Sequence, residues 1–366
     1  MRILYVTDAL AIRGGLERVL IDKANWLSEQ AGYEIHILTA NQGNHPIAYP
    51  IAPHIIHTDI GIHFFRQYQY TGIKRLLVSR QLRKLFRKRL NNQIETFVPD
   101  VIVCMRLDYL ADIVGAKENI PLVFETHSSK TSYCFEKSGL LRKCQIKWWQ
   151  LGVKNANITV ALTQGDAHEW KSLTPNVSVI PNIVHLNDMG RFSNCTNKRA
   201  IFVGRLVEQK CLPDLINVWR LIHERHSDWQ LDVFGEGQMD SISDIKLFIH
   251  PPTSNIMEEY INSSMLLMTS IYEPFGLVLP EAMSCGLPVV AFDCPYGPAD
   301  IITDGVDGFL IKNRNIDLFV QRVSELIGSC GLRHQMGQAG IQSSQRYQPS
   351  RIMPQWKTLF EKLIRS

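Results

Sequence analysis

Short apolar runs that alternate with helical patterns constrain the fold of this 366-residue chain more than any other feature. The run at residues 3–6 is apolar at every position, as is typical of a strand that is covered on both faces in a parallel sheet. Strands separated by helices in this way predict a doubly wound parallel sheet. Further strand patterns lie at residues 34–39, 101–104, 122–125, 158–162 and 177–180.

A second series of strand patterns begins near residue 200 and predicts a second sheet. Its later strands are expected at residues 231–234, 265–269 and 288–292, and two helical patterns follow from Ile316 to the C-terminus with a break near Pro349. A chain of this length also exceeds what one hydrophobic core usually supports, so two domains are expected. The predicted fold class is therefore α/β, with two Rossmann-like doubly wound domains.

The stretch at residues 271–290, I-Y-E-P-F-G-L-V-L-P-E-A-M-S-C-G-L-P-V-V, predicts the order strand, turn, short helix, strand. Pro280 suits the first turn of a helix, and Gly286 suits the left-handed position just past a helix end. Backbone N–H groups in a turn before a helix can point at an anion together with the helix dipole. The residues of that turn are Phe275, Gly276 and Leu277.

Two glutamates accompany this turn. Glu273 lies just before it and could reach a polar ligand held there. Glu281 lies about two helical turns further on, faces roughly the same side, and could accept hydrogen bonds from two adjacent hydroxyl groups. One carboxylate near a phosphate and another on a diol would suit a nucleotide-sugar. The alternative interpretation is a capped core helix with two solvated glutamates.

Two basic residues, Arg205 and Lys210, flank the turn that follows the first strand of the second sheet. A diphosphate carries two negative charges, and its charge builds further as a sugar departs. Two fixed cations can stabilise such a group in place of a metal ion. The alternative is that both are solvated surface cations.

Two further features lie in the first half of the chain. Gly14 and Gly15 separate the first strand from a helix and would let the backbone approach a ligand closely. The G-x-G-x-x-G fingerprint of dinucleotide-binding domains is absent there. His127 follows the carboxyl end of a strand, the edge that faces the ligand crevice in open α/β sheets. The alternatives are a glycine pair that only eases the turn and a histidine with a structural role.

Together these motifs resemble the retaining GT-B glycosyltransferases of family 4 (glycosyltransferase group 1), of the type that builds bacterial polysaccharide and lipopolysaccharide. The matching motifs are G-G-x-E-R from Gly14, G-R-L-x-x-x-K from Gly204 and E-x7-E from Glu273. The resemblance implies an acceptor-side domain over residues 1–183 and a domain that binds the nucleotide-sugar donor over residues 184–349. It also implies a last helix, about residues 350–366, that crosses back onto the first domain.

The resemblance also implies an activity. It is the transfer of a hexose from a nucleoside-diphosphate sugar to a saccharide or lipid-linked saccharide, with retention of configuration. A UDP-sugar is the expected donor. Arg205 and Lys210 would replace a divalent metal, so neither a metal nor a cofactor is expected. His127 would lie near the hydroxymethyl group of the donor sugar, and Gly14 and Gly15 near the donor phosphate or the acceptor. No covalent nucleophile can be named, and the leaving phosphate is expected to help deprotonate the acceptor.

A basic stretch at residues 66–90 contains nine Lys or Arg residues and no acidic residue. Apolar residues interleave with them at roughly helical spacing, from Ile73 to Leu90. A basic amphipathic helix can lie on an anionic membrane surface. A helix that covers a sheet and has a solvated basic face is the alternative. Nucleic acid is not expected as a partner, because no nucleic-acid module accompanies the stretch.

The remaining composition indicates a cytoplasmic location, with reversible attachment to the inner face of the membrane as a further expectation. The eight cysteines show no C-x-x-C spacing, which disfavours a zinc site and a disulfide framework. The apolar run after Arg2 is too short for a signal peptide, and no apolar run approaches the 18 residues that a membrane-spanning helix needs.

Two other functions stay open: a GT-B-like nucleotide-sugar epimerase, which needs no acceptor, and a non-catalytic subunit that binds sugar nucleotides.

Overall fold

The computed structural model describes residues 1–117, 119–133 and 140–365. The chain divides into two compact units. One unit comprises Met1–Ile183 together with Pro349–Ser366, and the other comprises Val184–Gln348. Each unit contains one parallel sheet.

The first unit alternates strands and helices along the chain. Its elements are β1 (Arg2–Thr7), α1 (Gly15–Ala31), β2 (Glu34–Thr39), β3 (Ile56–Asp59), α2 (Gly72–Phe97), β4 (Val101–Cys104), α3 (Leu107–Val114), β5 (Leu122–Glu125), α4 (Leu140–Asn155), β6 (Ile158–Ala161), α5 (Gln164–Trp170) and β7 (Val177–Val179). The strands pair in parallel in the order β3-β2-β1-β4-β5-β6-β7. The predicted doubly wound parallel sheet is confirmed.

Strand β1 shows why the sheet is covered on both faces. Ile3 and Tyr5 pack in a core cluster with the apolar face of α1, while Leu4 and Val6 pack in a second cluster with α2. Because successive side chains of a strand point to opposite faces, an unbroken apolar run serves both clusters.

Strand β3 was not predicted, because its sequence I-H-T-D lacks an apolar run. It lies at the edge of the sheet, where one side is exposed. Polar side chains join it to β2: the ring of His57 lies 3.0 Å from the hydroxyl of Thr39, and the ring of His36 lies 3.0 Å from the hydroxyl of Thr58. An edge strand held by such contacts gives little hydrophobic signal in the sequence.

The predicted basic helix at residues 66–90 differs in extent from the helix observed. Arg66 lies in a separate 3-10 turn, Phe64–Gln69, and α2 begins only at Gly72. In the second half of α2, Phe86 and Leu90 are fully buried against the sheet. The sheet-covering interpretation is therefore correct for that half.

The second unit repeats the alternation. Its elements are β8 (Arg199–Val203), α6 (Leu212–His223), β9 (Gln230–Phe234), β10 (Leu247–His250), α7 (Ile256–Ile261), β11 (Met265–Met268), α8 (Val278–Ser284), β12 (Val289–Phe292), α9 (Gly297–Ile301), β13 (Gly308–Ile311), α10 (Ile316–Gly328) and α11 (Cys330–Ser344). The parallel sheet has the order β10-β9-β8-β11-β12-β13. Strands β10 and β13, which form its two edges, were not predicted.

The C-terminal region corrects the prediction of two helical patterns after Ile316. Three helices follow, because the chain also breaks at Ser329, whose hydroxyl accepts a hydrogen bond from the N–H of Leu332. The third helix is α12 (Pro349–Arg365), which belongs to the first unit. Trp356 and Phe360 of α12 are buried in the same cluster as α1 and β1.

Candidate functional site

The turn after β8 places Lys210 against a glycine. Gly204 has a φ of 157°, and a Cβ added there would lie 2.9 Å from Cε of Lys210. The N–H of Leu206 donates to the carbonyl of Glu236 over 2.7 Å, in the turn that follows β9. A Cβ at Gly235 would lie only 1.9 Å from the carbonyl oxygen of Gly204. The two turns therefore pack backbone against backbone, and this packing positions Lys210.

Lys210 binds the first glutamate of the E-x7-E motif. Its Nζ donates to Oε1 of Glu273 over 2.5 Å, and the hydroxyl of Ser270 donates to the same oxygen over 2.7 Å. Both charged side chains are largely buried. Low solvent exposure strengthens such an interaction. The interpretation of Glu273 as a solvated glutamate is therefore wrong, and so is that of Lys210 as a solvated surface cation.

The main chain of Glu273 is held by the loop after β12. Its N–H donates to the carbonyl of Pro295 over 2.7 Å, and its carbonyl accepts from the N–H groups of Tyr296 and Gly297 at 2.8 and 2.9 Å. A Cβ at Gly297 would lie 1.8 Å from the carbonyl oxygen of Phe275, so only glycine fits there. This loop fixes the backbone from which the Glu273 side chain projects.

The predicted turn precedes a helix, as expected. Gly276 has a φ of 93°, Leu277 caps α8, and α8 begins at Val278. Phe275 is buried, with its ring edge-to-face against Tyr347 at a centroid distance of 5.3 Å. Within the described part of the chain, no backbone hydrogen bond is donated by the N–H groups of residues 275–277. These groups are the expected donors to an anion.

Glu281 lies in α8 and is also buried, so the solvated interpretation is wrong for this residue too. The hydroxyl of Tyr260, a fully buried residue of α7, donates to its Oε2 over 3.4 Å. Ser270 and Tyr260 were missed by the sequence analysis, because a serine after a strand and a tyrosine in a short helix carry no motif of their own.

Arg205 differs from Lys210. Its side chain is exposed, and among residues 1–117, 119–133 and 140–365 no side chain or carbonyl forms a hydrogen bond or ion pair with it. A guanidinium without an internal partner can still bind an oxyanion in bidentate fashion. Around this turn, one cation, Lys210, is already held by a carboxylate. The other, Arg205, is exposed and has no such partner among the described residues.

In the first unit, Gly14 and Gly15 form the start of α1. Gly14 is the N-cap residue with extended backbone, and the helix begins at Gly15. A Cβ at Gly14 would lie 2.5 Å from the carboxylate of Glu17, so the glycine provides space rather than an unusual backbone conformation.

His127 lies two residues past the end of β5, beside a buried ion pair. Its Nε2 is 3.0 Å from Oε1 of Glu125. Lys23 of α1 donates to both oxygens of the same carboxylate, and both partners are buried. Burial alone would raise the pKa of Glu125, but Lys23 and His127 hold the pKa at about 2. Lys23 was not predicted as a site residue, although a cation on an otherwise buried helix face is a weak signal of one.

A second polar group at the carboxyl edge of the first sheet was also missed. Asp8 follows β1, and one of its oxygens accepts hydrogen bonds from the hydroxyl of Tyr109 and, over 2.5 Å, from the side-chain amide of Asn41. Burial raises the pKa of Tyr109, and the charge of Asp8 raises it further. These residues come from three separate elements, so no local motif connects them.

Asp166 of α5 is a buried carboxylate that contacts Thr126, the residue just before His127. It accepts hydrogen bonds from the hydroxyl of Thr126, the N–H of Lys130 and the indole N–H of Trp170, at 3.0 to 3.1 Å. Burial raises its pKa to about 6, although these hydrogen bonds oppose the shift. The described residues contain no group of three or more His, Cys, Asp or Glu side chains that could hold a metal ion.

Family models match both units. A model described as glycosyl transferases group 1 matches residues 191–343, and one described as glycosyltransferase family 4 matches residues 13–188. The chain belongs to the group 1 glycosyltransferases. The two matches together leave out little more than the termini, so this glycosyltransferase carries the family's sequence features in both units.

Individual relatives agree with the family. The amylovoran biosynthesis glycosyltransferase AmsD of Erwinia amylovora is 34% identical over 239 residues, which are 61% of this chain and 66% of that protein. An uncharacterized glycosyltransferase of Haemophilus influenzae is 28% identical over 94% of this chain and 95% of its own length.

A solved structure shows the fold. A TarM variant of S. aureus in complex with fondaparinux, alpha-GlcNAc-glycerol and UDP has a TM-score of 0.78 at 16% identity, with 98% of this chain and 99% of that chain covered. This group 1 glycosyltransferase therefore has the predicted GT-B fold, and its described residues form parallel sheets of seven and six strands.

Proposed function

We propose that the protein is a retaining hexosyltransferase that moves a sugar from a UDP-sugar to a saccharide or lipid-linked saccharide during synthesis of a bacterial cell-surface polysaccharide. The observation that carries this proposal is the buried ion pair between Lys210 and Glu273 beside the free cation of Arg205. The names of two similar proteins support it, since one is described as an amylovoran biosynthesis glycosyltransferase and the other was solved with UDP and alpha-GlcNAc-glycerol.

The phosphates of the donor would bind at the turn after β8. An ammonium group has three N–H donors, and Glu273 occupies one of those of Lys210. Two donors remain for phosphate oxygens, and the guanidinium of Arg205 adds a fork of further donors. Cations and backbone N–H groups fixed before the reaction stabilise charge as the diphosphate leaves. This arrangement supports a mechanism that does not depend on a metal.

The ribose would bind at Glu281. A vicinal diol offers two O–H donors, and the two oxygens of a buried carboxylate can accept hydrogen bonds from a ligand that excludes water. Tyr260 donates to one of these oxygens only over 3.4 Å, a long and weak hydrogen bond. Lys210 binds Glu273 and would also bind the phosphates. Glu273 would therefore lie next to the phosphates or the sugar.

The proposal is tested by following the donor and the product separately. A thermal-shift screen against UDP-glucose, UDP-galactose and UDP-N-acetylglucosamine identifies the donor, because a ligand of the folded state raises the melting temperature. Release of UDP is then measured with and without an extract of lipid-linked saccharides, in EDTA and in Mg²⁺.

We expect UDP release that depends on the acceptor, is equal in both buffers, and yields an α-linked product by NMR. An epimerised UDP-sugar formed without acceptor would instead identify an epimerase. Binding of a donor without any turnover would identify a non-catalytic subunit.

We further propose that the first half of α2 attaches the enzyme to the membrane surface that carries its lipid-linked acceptor. In this half, unlike the second, apolar side chains face solvent: Ile73 is 77% exposed and Leu77 is 52% exposed. The preceding 3-10 turn adds exposed aromatic rings at Phe65 and Tyr68. Exposed apolar residues beside cations are typical of helices that lie in the interface of a bilayer.

The basic residues of the same stretch fall into two groups. Arg83 and Arg87 form ion pairs with the buried Asp112, and Arg89 donates to backbone carbonyls, so these three support the fold. The other six cations are also exposed to solvent: Arg66, Lys74, Arg75, Arg80, Lys84 and Lys88. No helix among the described residues is long and apolar enough to cross a bilayer. Attachment through this surface would therefore be peripheral.

A further inference from the structure

Two charged side chains behind His127 have no part in the chemistry proposed above. Lys23 and Glu125 are each 1% exposed, and the ammonium group of Lys23 donates to both carboxylate oxygens. The same ammonium group lies 4.1 Å from the ring centroid of Trp356 on α12. Nε2 of His127 is 3.0 Å from the carboxylate. A line of interacting groups therefore runs from α12 through α1 and the end of β5 to the histidine.

Stability alone does not explain a buried pair of this kind. Removing two charges from water costs so much that well-packed apolar residues of similar volume often serve the fold as well or better. The ion pair does, however, keep the carboxyl group of Glu125 in one ionisation state. Because Lys23 and His127 keep the pKa of Glu125 at about 2, its carboxylate is ionised at every pH near neutrality.

We propose that Lys23 and Glu125 are positioning residues, which fix the tautomer and the ring orientation of His127. The ionised carboxylate favours a proton on Nε2, and a ring that carries only this proton presents Nδ1 as a hydrogen-bond acceptor. A hydroxyl group of a saccharide is the ligand that fits such an acceptor. This inference rests on the proposed function and on the family resemblance, which implies that His127 lies near the hydroxymethyl group of the donor sugar.

The geometry of the ring fits this role with one adjustment. Nε2 is buried and close to Glu125, but its N–H is not directed at the carboxylate oxygen, so the hydrogen bond is not fully formed. A small rotation of the ring aligns the two groups. Hydrogen bonds at active sites are often poorly aligned until a substrate binds. Nδ1 has no hydrogen-bond partner among the described residues of the chain.

The first experiment replaces the pair without leaving a lone buried charge. Lys23→Met combined with Glu125→Leu should fold with a melting temperature close to that of the parent, because both charges are removed together. Turnover of the identified UDP-hexose should nevertheless fall about 100-fold, the cost expected when a reacting group is misplaced by about 1 Å. The single variant Lys23→Met leaves Glu125 ionised and unpaired, so it should melt at a lower temperature than the double variant.

The same pair of substitutions is then made in a His127→Ala background, which separates positioning from a general structural effect. If the pair acts through His127, turnover in this background should fall no further. An equal 100-fold fall with and without His127 would overturn the proposal, and so would parent-like turnover in a folded double variant.

A spectroscopic measurement tests the inference without any activity. In a long-range ¹H–¹⁵N spectrum of histidine-labelled protein, the signals of His127 are identified by their loss in His127→Ala. We expect the Nε2–H tautomer in the parent and a mixture of tautomers in the Lys23→Met, Glu125→Leu variant. An unchanged tautomer would reject the positioning role, whereas failure to find any glycosyl transfer would reject only the proposed function.

Discussion

Nζ of Lys210 and Oε1 of Glu273 lie 2.5 Å apart in a largely buried ion pair, although 63 residues separate them in the sequence. The lysine comes from the turn after the first strand of its sheet, and the glutamate comes from the turn before α8. A long lysine side chain normally loses much conformational freedom when it binds a ligand. Here the glutamate and the packing against Gly204 restrict it in advance.

The first prediction follows from this preorganisation. Lys210→Ala should lower turnover by about 10²- to 10³-fold, the usual cost of losing one preorganised donor to a developing charge. Glu273 keeps its hydrogen bond from Ser270 in this variant, so the fold should survive. The measurement is kcat with saturating donor, alongside a thermal melt.

Lys198→Ala is the matched control, because Lys198 is an exposed lysine of the same unit that pairs with the exposed Asp228. It should leave turnover unchanged. The assignment of Lys210 fails if its variant keeps parent-like turnover, or if the parent is active only when Mg²⁺ is added.

The second prediction concerns the ribose. A carboxylate on a diol binds the ground state and the transition state alike, so Glu281→Gln should raise KM more than it lowers kcat. Glutamine keeps the volume of the buried side chain and the acceptor for the Tyr260 hydroxyl. The parent should discriminate a UDP-sugar from its 2′-deoxyuridine analogue, and the variant should bind the two almost equally. A parent protein that ignores the 2′-hydroxyl group would show the assignment to be wrong.

The third prediction is a dependence of stability on pH that originates at Asp166. Its pKa is about 6 in the folded protein, against 3.8 for an ordinary aspartate, because of burial. Between these values the folded protein holds a proton that the unfolded chain has released. The free energy of unfolding should therefore fall as pH rises from about 4 to about 6, by about 3 kcal/mol from this group.

Asp166→Asn should remove this contribution, since an amide does not titrate. Urea unfolding of parent and variant should show nearly equal stability at about pH 4, and a variant that is more stable at about pH 7. Glu95→Gln, at an exposed carboxylate on α2 of the same unit, serves as the control and should follow the parent. Parallel curves for parent and Asp166→Asn across this range would contradict the assignment.

Most of the fold could be predicted because the central strands are buried on both faces. β2, β4 and β5 have the predicted bounds, and nearly all of their residues are buried. The three missed strands, β3, β10 and β13, are edges of the two sheets. β3 has the mainly polar sequence I-H-T-D, whereas β10 and β13 each contain only three consecutive large apolar residues, a pattern too short to predict a strand by itself.

The candidate site could be predicted only where its residues form a motif. Arg205, Lys210 and the two glutamates lie at fixed short spacings, and a resemblance to a family fixes their positions. The residues that support these four are not part of any motif. Lys23 and Glu125 are 102 residues apart, and nothing local to either sequence position indicates the other. Contacts of this kind arise from the order of the strands in the sheet, which a single sequence does not specify.

The fourth prediction concerns the membrane. Each basic residue near an anionic bilayer contributes about 1 kcal/mol, within a Debye length of about 10 Å at 0.1 M salt. The parent should co-sediment with vesicles that contain anionic phospholipid at low salt, but not with neutral vesicles and not at high salt. A parent protein that ignores anionic vesicles at low salt would show that the first half of α2 is only a solvated surface, and a soluble acceptor would then be expected.

The variant that tests this surface must avoid the arginines that hold the fold together. Reversing the exposed residues Lys74, Arg75, Arg80 and Lys84 to Glu should abolish sedimentation, whereas reversing Arg83 or Arg87 would also break the ion pairs with Asp112. The control carries the same change in charge at four exposed positions of the second unit: Lys198, Arg220, Arg225 and Lys246. Donor binding, measured by thermal shift, should be retained in both variants. Equal loss of sedimentation in both would mean that net charge alone causes attachment, and the proposal for α2 would be rejected.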